Sequence, residues 1–559
     1  MSNLLKRRSH ELTDGPDRVA HRALLFSCGL TRQDMDKPLI AIVNSWNEIV
    51  PGCIHLPAVA QSVREGILEA GGVPLEFNTI GVCDGMAQGH VGMKYSLPSR
   101  EIIAASIEIM LQAHQFDAAV FISSCDKITP GMLMAAARVN IPVLMVPAGA
   151  MEAGEYAGQK IALSQTREFA GKYHAGEITA EQLAHIEEIA CPSPGTCAMM
   201  GTANSMACLT EALGMSLPTS ATMPATSSAK LRNAREAGMR IMTLLAENVC
   251  PLDIITADAL ENALRVAMAV GGSTNTILHL LGLAQEIGIE FDLRQVDAAS
   301  RSTPYLSKLI PSGPNTINDL HSAGGIPAVL KSIRSLLKAD ALTVSGKTIG
   351  EIADAAEWSD TRVIHSLEDP IRPDGGLAVL WGNLAPDGSL VKKSAATPKM
   401  WVHEGPARVF DSMEEAMAIV EAGGVEPGSV VVIRYEGPVG GPGMREMQMI
   451  TAIMSGMGLS ETTALVTDGR FSGSTRGPCI GYVSPEAALG GPLALVEDGD
   501  RISIDIPAGK LDLLVPDDEL ERRRQRWIPP TPPTKGILGL YASLAQSAAQ
   551  GAVLVPTCK

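Results

Sequence analysis

Aromatic side chains are scarce in this chain, at 4 % of 559 residues, which leaves little material for stacking platforms that bind single-stranded nucleic acid. Positive charge is short as well. The formal net charge of −16 argues against nucleic acid or an anionic membrane as partner. Basic residues near Met1 are not followed by an apolar core of signal-peptide length, and the most apolar region, 132–151, carries Arg138, Asn140 and two prolines. That region reads as a buried helix running into a strand, and the expectation is a soluble, cytoplasmic protein. There is no C-x-x-C pair, no G-x-G-x-x-G and no Walker loop, so zinc-ribbon, ferredoxin and nucleotide-binding signatures are missing.

What the chain has in plenty is apolar residues, at 46 %, with 54 glycines and 36 prolines. Such a chain builds large cores and tightly turned backbone next to ligands. Its length allows two to four domains at about 150 residues each. Ten cysteines without the spacing of a secreted scaffold point to a reducing compartment, where thiols that converge from distant loops bind metal.

Strands are predicted at 38–44, 75–82, 118–122 and 141–146, with helices over 56–70, 99–113 and 132–139 between them, an alternation that specifies a parallel α/β sheet. Residues 160–188 read as a polar, helix-prone surface hairpin or an arm between subunits, and 200–340 as Ala- and Leu-rich helices. From Leu377 onward the pattern changes to short strands at 378–380, 429–435, 463–467, 492–496, 501–506 and 510–515, a small barrel or sandwich. The expected fold is α/β: an N-terminal α/β/α domain with a mainly parallel sheet over 1–360, and a C-terminal β-barrel-like domain over 361–559. An extended strap at 527–534 leads to a last short helix.

The stretch Cys125-Asp-Lys-Ile-Thr-Pro-Gly-Met132 sets a thiol, a carboxylate and an amine at the carboxyl end of a strand, where open α/β sheets bind ligands. Similar glycine-rich loops run over Asn44–His55, Asn78–His90, Cys191–Cys197, Arg434–Glu446 and Thr467–Gly477. Asp84, Asp126 and Glu446 are hard oxygen ligands suited to Mg²⁺. Cys125 and Cys197 are soft ligands suited to an iron–sulfur cluster. The plainer reading is that such loops are tight turns, with His55 and His90 satisfying backbone groups. Cys28, Cys208, Cys250 and Cys558, outside polar glycine-rich loops, read as structural, and Cys479 is unassigned.

Together with Tyr95-Ser-Leu-Pro-Ser-Arg-Glu101, Gly201-Thr-Ala-Asn-Ser-Met206, Gly271-Gly-Ser-Thr-Asn275, Arg434-Tyr-Glu-Gly-Pro438 and Asp468-Gly-Arg-Phe-Ser-Gly473, the Cys125 stretch resembles the dihydroxy-acid dehydratase / phosphogluconate dehydratase family over about 15–555. The resemblance implies an iron–sulfur cluster, 2Fe-2S or 4Fe-4S, and Mg²⁺ in a cleft between the two domains. It assigns Cys125 and Cys197 to the cluster, Asp84, Asp126 and Glu446 to Mg²⁺, Lys127 to a carbamylated further ligand, and Ser472 to proton abstraction. It also implies a homodimer or dimer of dimers. The implied reaction dehydrates 2,3-dihydroxy-3-methylbutanoate and its 3-methylpentanoate homologue to 2-keto acids in valine and isoleucine biosynthesis. An aldonic or sugar-acid dehydratase is the alternative, and a non-catalytic metal-binding relative is disfavoured because Lys127, Glu446 and Ser472 are all present.

Two departures bear on the third cluster ligand. Two-iron members commonly carry Pro-Cys-Asn where this chain has Pro51-Gly52-Cys53, and Pro194 stands where four-iron members often carry a middle cysteine. The expected third thiol is Cys53, with Cys191 and Cys83 as alternatives.

Overall fold

The computed structural model describes residues 5–174, 176–440 and 443–555, without the side chain of His174; Cys558 lies outside them. Strands β1 (Leu39–Asn44), β2 (Val73–Asn78), β3 (Ala118–Ser123) and β4 (Val143–Pro147) form an all-parallel sheet in the order β2-β1-β3-β4. β1, β3 and β4 are buried along their whole length, as continuous apolar runs between helical layers require, whereas edge strand β2 is half exposed. The order reverses direction between β1 and β3. Their carboxyl-end loops therefore diverge and leave a crevice there.

Helices Leu56–Glu69, Ser96–Ala113 and Ile128–Val139 make the crossovers. Helix Ser228–Glu247 packs on Leu56–Glu69 through facing glycines. A Cβ on Gly66 would meet the Arg235 carbonyl oxygen at 2.0 Å, and one on Gly238 the Val63 carbonyl oxygen at 2.2 Å. The expected strand over 75–82 stops at Asn78, where the chain turns into the ligand-side loop and the Asn78 amide donates to the Trp46 carbonyl. Between 150 and 190 lie a small hairpin, β5 (Gly154–Tyr156) with β6 (Gln159–Ile161), and helices Leu163–His174 and Ala180–Ile189.

The C-terminal part is an eight-stranded sheet of β7 (Ala378–Leu380), β8 (Gly388–Val391), β9 (Val402–Phe410), β10 (Val430–Ile433), β11 (Ala464–Thr467), β12 (Cys479–Ser484), β13 (Arg501–Asp505) and β14 (Lys510–Leu513). Its order is β14-β13-β9-β10-β11-β12-β8-β7. Trp381, just beyond β7, bonds to Gly509 and Leu511 beside β14, so the sheet nearly closes on itself. Four central strands, β9 to β12, are parallel, and helices Met413–Glu421 and Gln448–Gly456 cross between them. Val430 and Val432 face the barrel interior while Val431 and Ile433 face those helices, which buries both sides of β10.

The strand expected over 492–496 is instead a 3-10 turn, Pro492–Leu495. Pro492 has no N–H to give a sheet ladder and its fixed φ suits the first position of a helical turn. No described helix is long and apolar enough to cross a membrane.

Candidate active site

The crevice at the carboxyl ends of β1 and β3 faces the loops after β10 and β11, and the sequence-predicted residues meet there from both halves of the chain. Cys125 ends the β3 loop. Its carbonyl accepts from the Ile128 N–H, which turns Asp126 and Lys127 into the first residues before helix Ile128–Val139. Lys127 is fully buried, and its Nζ donates to Asp84 Oδ2 at 2.9 Å and lies 3.9 Å from Asp126.

Glu446 comes from the loop after β10. Arg470, in the loop after β11, donates to Glu446 Oε2 at 2.7 Å and to Asp84 Oδ2 at 3.3 Å, and its Nε donates to the Met444 carbonyl. The amides of Gln88 and Asn275 also donate to Glu446, and Tyr482 Oη donates to Asn275 Oδ1. Oxygens of Asp84, Asp126 and Glu446 all lie within 4.8 Å of one another. Asp84 Oδ1 is buried without a hydrogen-bond partner, and burial followed by repulsion from Asp84 pushes the Asp126 carboxyl up to about 7. An unsatisfied oxygen and a carboxylate too many are what a hard divalent cation relieves, so the residues fit Mg²⁺.

Beside the carboxylates is a cavity whose wall includes Cys83, Cys125 and Cys197, together with Asp84, Asp126, Glu446 and Ser472. Cys83 and Cys125 neighbour each other there, which holds the Cys83 thiol down and, with burial, pushes Cys125 up, and burial raises Cys197. Cys53 is not on this wall. It is fully buried, and burial lifts its thiol to about 11. Cys191 is exposed and also off the wall. Three thiols at one cavity suit an iron–sulfur cluster better than a disulfide, and all nine described cysteines are free.

Ser472 is 5 % exposed. Its Oγ accepts from the Ser474 N–H at 3.1 Å and shares a hydrogen bond with Ser474 Oγ. The loop around it is held on both sides: Thr274 Oγ1 donates to the Phe471 carbonyl at 2.9 Å, and Lys392 Nζ donates to the Gly473 carbonyl at 2.7 Å.

Sequence reasoning gave no role to Arg470, Gln88, Asn275, Tyr482, Lys392 or Arg167, the last a half-buried cation on the cavity wall. Arg470 and Asn275 sat inside quoted motifs, which was the available signal. Lys392 had none. His55 and His90 hydrogen-bond to backbone carbonyls of Ala148 and Met86.

Two family models match the chain, dihydroxy-acid/6-phosphogluconate dehydratase N-terminal over residues 37–352 and C-terminal over 362–552. A dihydroxy-acid dehydratase of Moorella thermoacetica is 54 % identical over 550 residues, covering 98 % of this chain and 100 % of that protein. Dihydroxy-acid dehydratase 1 of Methanosarcina acetivorans is 53 % identical over 551 residues, with 98 % and 100 % covered. The dihydroxy-acid dehydratase of Acetivibrio thermocellus is 52 % identical over 550 residues, with 98 % and 99 % covered.

Proposed function

Because the chain belongs to the dihydroxy-acid/6-phosphogluconate dehydratase family, we propose that it is a hydro-lyase for 2,3-dihydroxy-3-methylbutanoate and its 3-methylpentanoate homologue, serving valine and isoleucine biosynthesis. One observation carries the reading: a single cavity brings together three carboxylates, three thiols and Ser472. Asp84, Asp126 and Glu446 would hold Mg²⁺, and Lys127, as a carbamate, would add an oxygen ligand. Cys83, Cys125 and Cys197 would hold an iron–sulfur cluster. When bound, these groups would supply stabilisation of negative charge on the carboxylate and C2 oxygen of the acid, and Lewis acidity toward its C3 hydroxyl.

The chain's own part begins at Ser472. A serine is a weak base unless its alkoxide is stabilised, and here the Ser474 N–H and hydroxyl both stand at Ser472 Oγ. Ser472 Oγ takes the proton from C2 and returns it to the departing C3 hydroxyl, which leaves as water, and the resulting enol gives up its O–H proton and takes one at C3 to become the 2-keto acid. Gln88, Asn275 and Arg470 fix both oxygens of Glu446, so that carboxylate has no freedom to swing away. Leu163, Met199 and Ala203 supply apolar wall.

Ser472→Ala tests the reading: keto-acid formation should fall by roughly three orders of magnitude or more, as removal of an acid–base group does, with iron and sulfide content unchanged. Retained turnover would sink it. Cys83→Ser should lose iron and acid-labile sulfide, and Cys53→Ser should keep both. A homodimer in the cytoplasm completes the proposal, supported by free thiols and by exposed Trp46, Ile49, Ile54, Ile80 and Met86 on the loops that follow β1 and β2.

A further inference from the structure

We propose that Arg167 is the residue that holds the carboxylate of the acid in this cavity. The inference deepens the proposed reaction and rests on the reading that the cavity takes a hydroxy acid. Arg167 is the one cationic side chain among the described residues of the cavity wall. Lys127 and Arg470 lie deeper, each already paired with the carboxylates of Asp84 or Glu446. Arg167 has no such partner. Among the described residues no carboxylate oxygen stands within 4.0 Å of it, and its hydrogen bond goes to a neutral group, the Gly85 carbonyl, at 3.2 Å. The adjacent acid on the same helix, Glu168, is taken by Arg476 at 3.0 Å.

A guanidinium has five N–H donors in a planar fork that matches a carboxylate. One bond to Gly85 fixes its direction and leaves the others for a ligand. Asp84, Asp126 and Glu446 line the same cavity, and left uncompensated they would repel an entering anion. A guanidinium without a carboxylate partner in that cavity favours entry of an acid, and a carboxylate has two oxygens, so contact with Arg167 does not compete with contact at the carboxylate cage. Arg167 is also half-buried and still reachable from solvent. It therefore meets the acid before the deeper groups do.

The experiment uses anaerobically prepared holoenzyme as wild type, Arg167→Leu and Arg167→Lys. Steady-state dehydration of 2,3-dihydroxy-3-methylbutanoate gives kcat and KM. Direct binding is measured with 2-hydroxy-3-methylbutanoate, which lacks the leaving hydroxyl, and with its neutral amide. For Arg167→Leu the acid should bind roughly ten- to a hundred-fold more weakly, the size of a lost charge-assisted hydrogen bond. Amide binding should change less than two-fold, KM should rise more than kcat falls, and Arg167→Lys should recover part of the loss. Acid binding within two-fold of wild type, or equal losses for acid and amide, would overturn the proposal. If wild type fails to dehydrate the diol yet shows the Arg167-dependent preference for acid over amide, the reaction assignment fails and the role of Arg167 stands.

Discussion

A Cβ on Gly473 would lie 2.3 Å from the Met200 carbonyl oxygen and 3.0 Å from Gly201 Cα. The residue after Ser472 is thus pressed onto the turn that enters helix Thr202–Ala212, and this contact registers a C-terminal loop against the N-terminal half of the site. Because the obstacle is backbone, it cannot step aside cheaply. Gly473→Ala should displace Ser472 and lower kcat by roughly a hundred-fold, the penalty of about 1 Å of misplacement. Iron content should stay at the wild-type level. Wild-type kcat in the alanine variant would mean the loop position is unimportant.

Arg470 is a fully buried cation between Asp84 and Glu446. Removing one partner from a buried ion network leaves uncompensated charge, at a cost of about 3–5 kcal/mol. Arg470→Met should lose about that much stability in denaturant titrations run with a chelator present. Added Mg²⁺ should restore part of it, because a cation that binds the folded state stabilises it. An unchanged midpoint in chelator would show that Asp84 and Glu446 carry no such strain.

The parallel sheet was legible because three of its four strands are short unbroken apolar runs, Leu39–Val43, Ala118–Ile122 and Val143–Val146, the first two followed by a polar turn and the third by Pro147-Ala-Gly149. In the C-terminal half the same reasoning missed β9, which carries Gly405, Pro406 and several charged residues. Those residues normally demote a strand, and β9 persists because it pairs on both sides, with β10 and β13. Helices Met413–Glu421 and Gln448–Gly456 were missed because a run of strand signals suggested an all-β unit.

Within the site, residue type marked Asp84, Asp126, Lys127 and Glu446 as hard ligands or their neighbour. The partners that hold them could not be read. Arg470 reaches Asp84 across 386 residues of chain, and that pairing exists only once the two halves dock. The third thiol shows the same limit, since the family resemblance favoured Cys53, with Cys191 and Cys83 as alternatives, while three-dimensional packing puts Cys83 on the wall.

Asp126 gives a pH dependence to cation binding. Burial and the neighbouring Asp84 raise its carboxyl to about 7, against an ordinary aspartate value of about 3.9. Between those values the metal-free folded protein keeps a proton that the unfolded chain has lost. This contribution to stability is full below the ordinary value and disappears as pH rises through 7. Mg²⁺ needs the carboxylate, so its affinity should climb as pH rises through 7 and then level off, with protons released on binding. Calorimetric titrations at pH 6 and 8, in buffers of different ionisation enthalpy, would measure both. Affinity that is flat between these pH values would contradict the shared carboxylate site.

Lys392 donates to the Gly473 carbonyl at 2.7 Å from a nearly fully buried position. Burial pushes its amine down to about 7, whereas in the unfolded chain a lysine titrates near 10.4. Between these values the unfolded chain binds a proton that the folded protein does not, so stability rises with pH across that window, by roughly 4–5 kcal/mol from end to end. Lys392→Met keeps the length of the side chain and removes the titration. Urea midpoints at pH 7 and 9.5 should therefore differ more in wild type than in the variant, and the variant should be the more stable of the two below pH 7, less what the lost bond to Gly473 costs. The carbonyl next to Ser472 also loses its donor, so kcat should fall in the variant even at pH 9.5, where the stability comparison no longer favours it. Equal pH slopes for the two proteins would mean that Lys392 is hydrated, and the lysine would then have no claim on the position of the Ser472 loop.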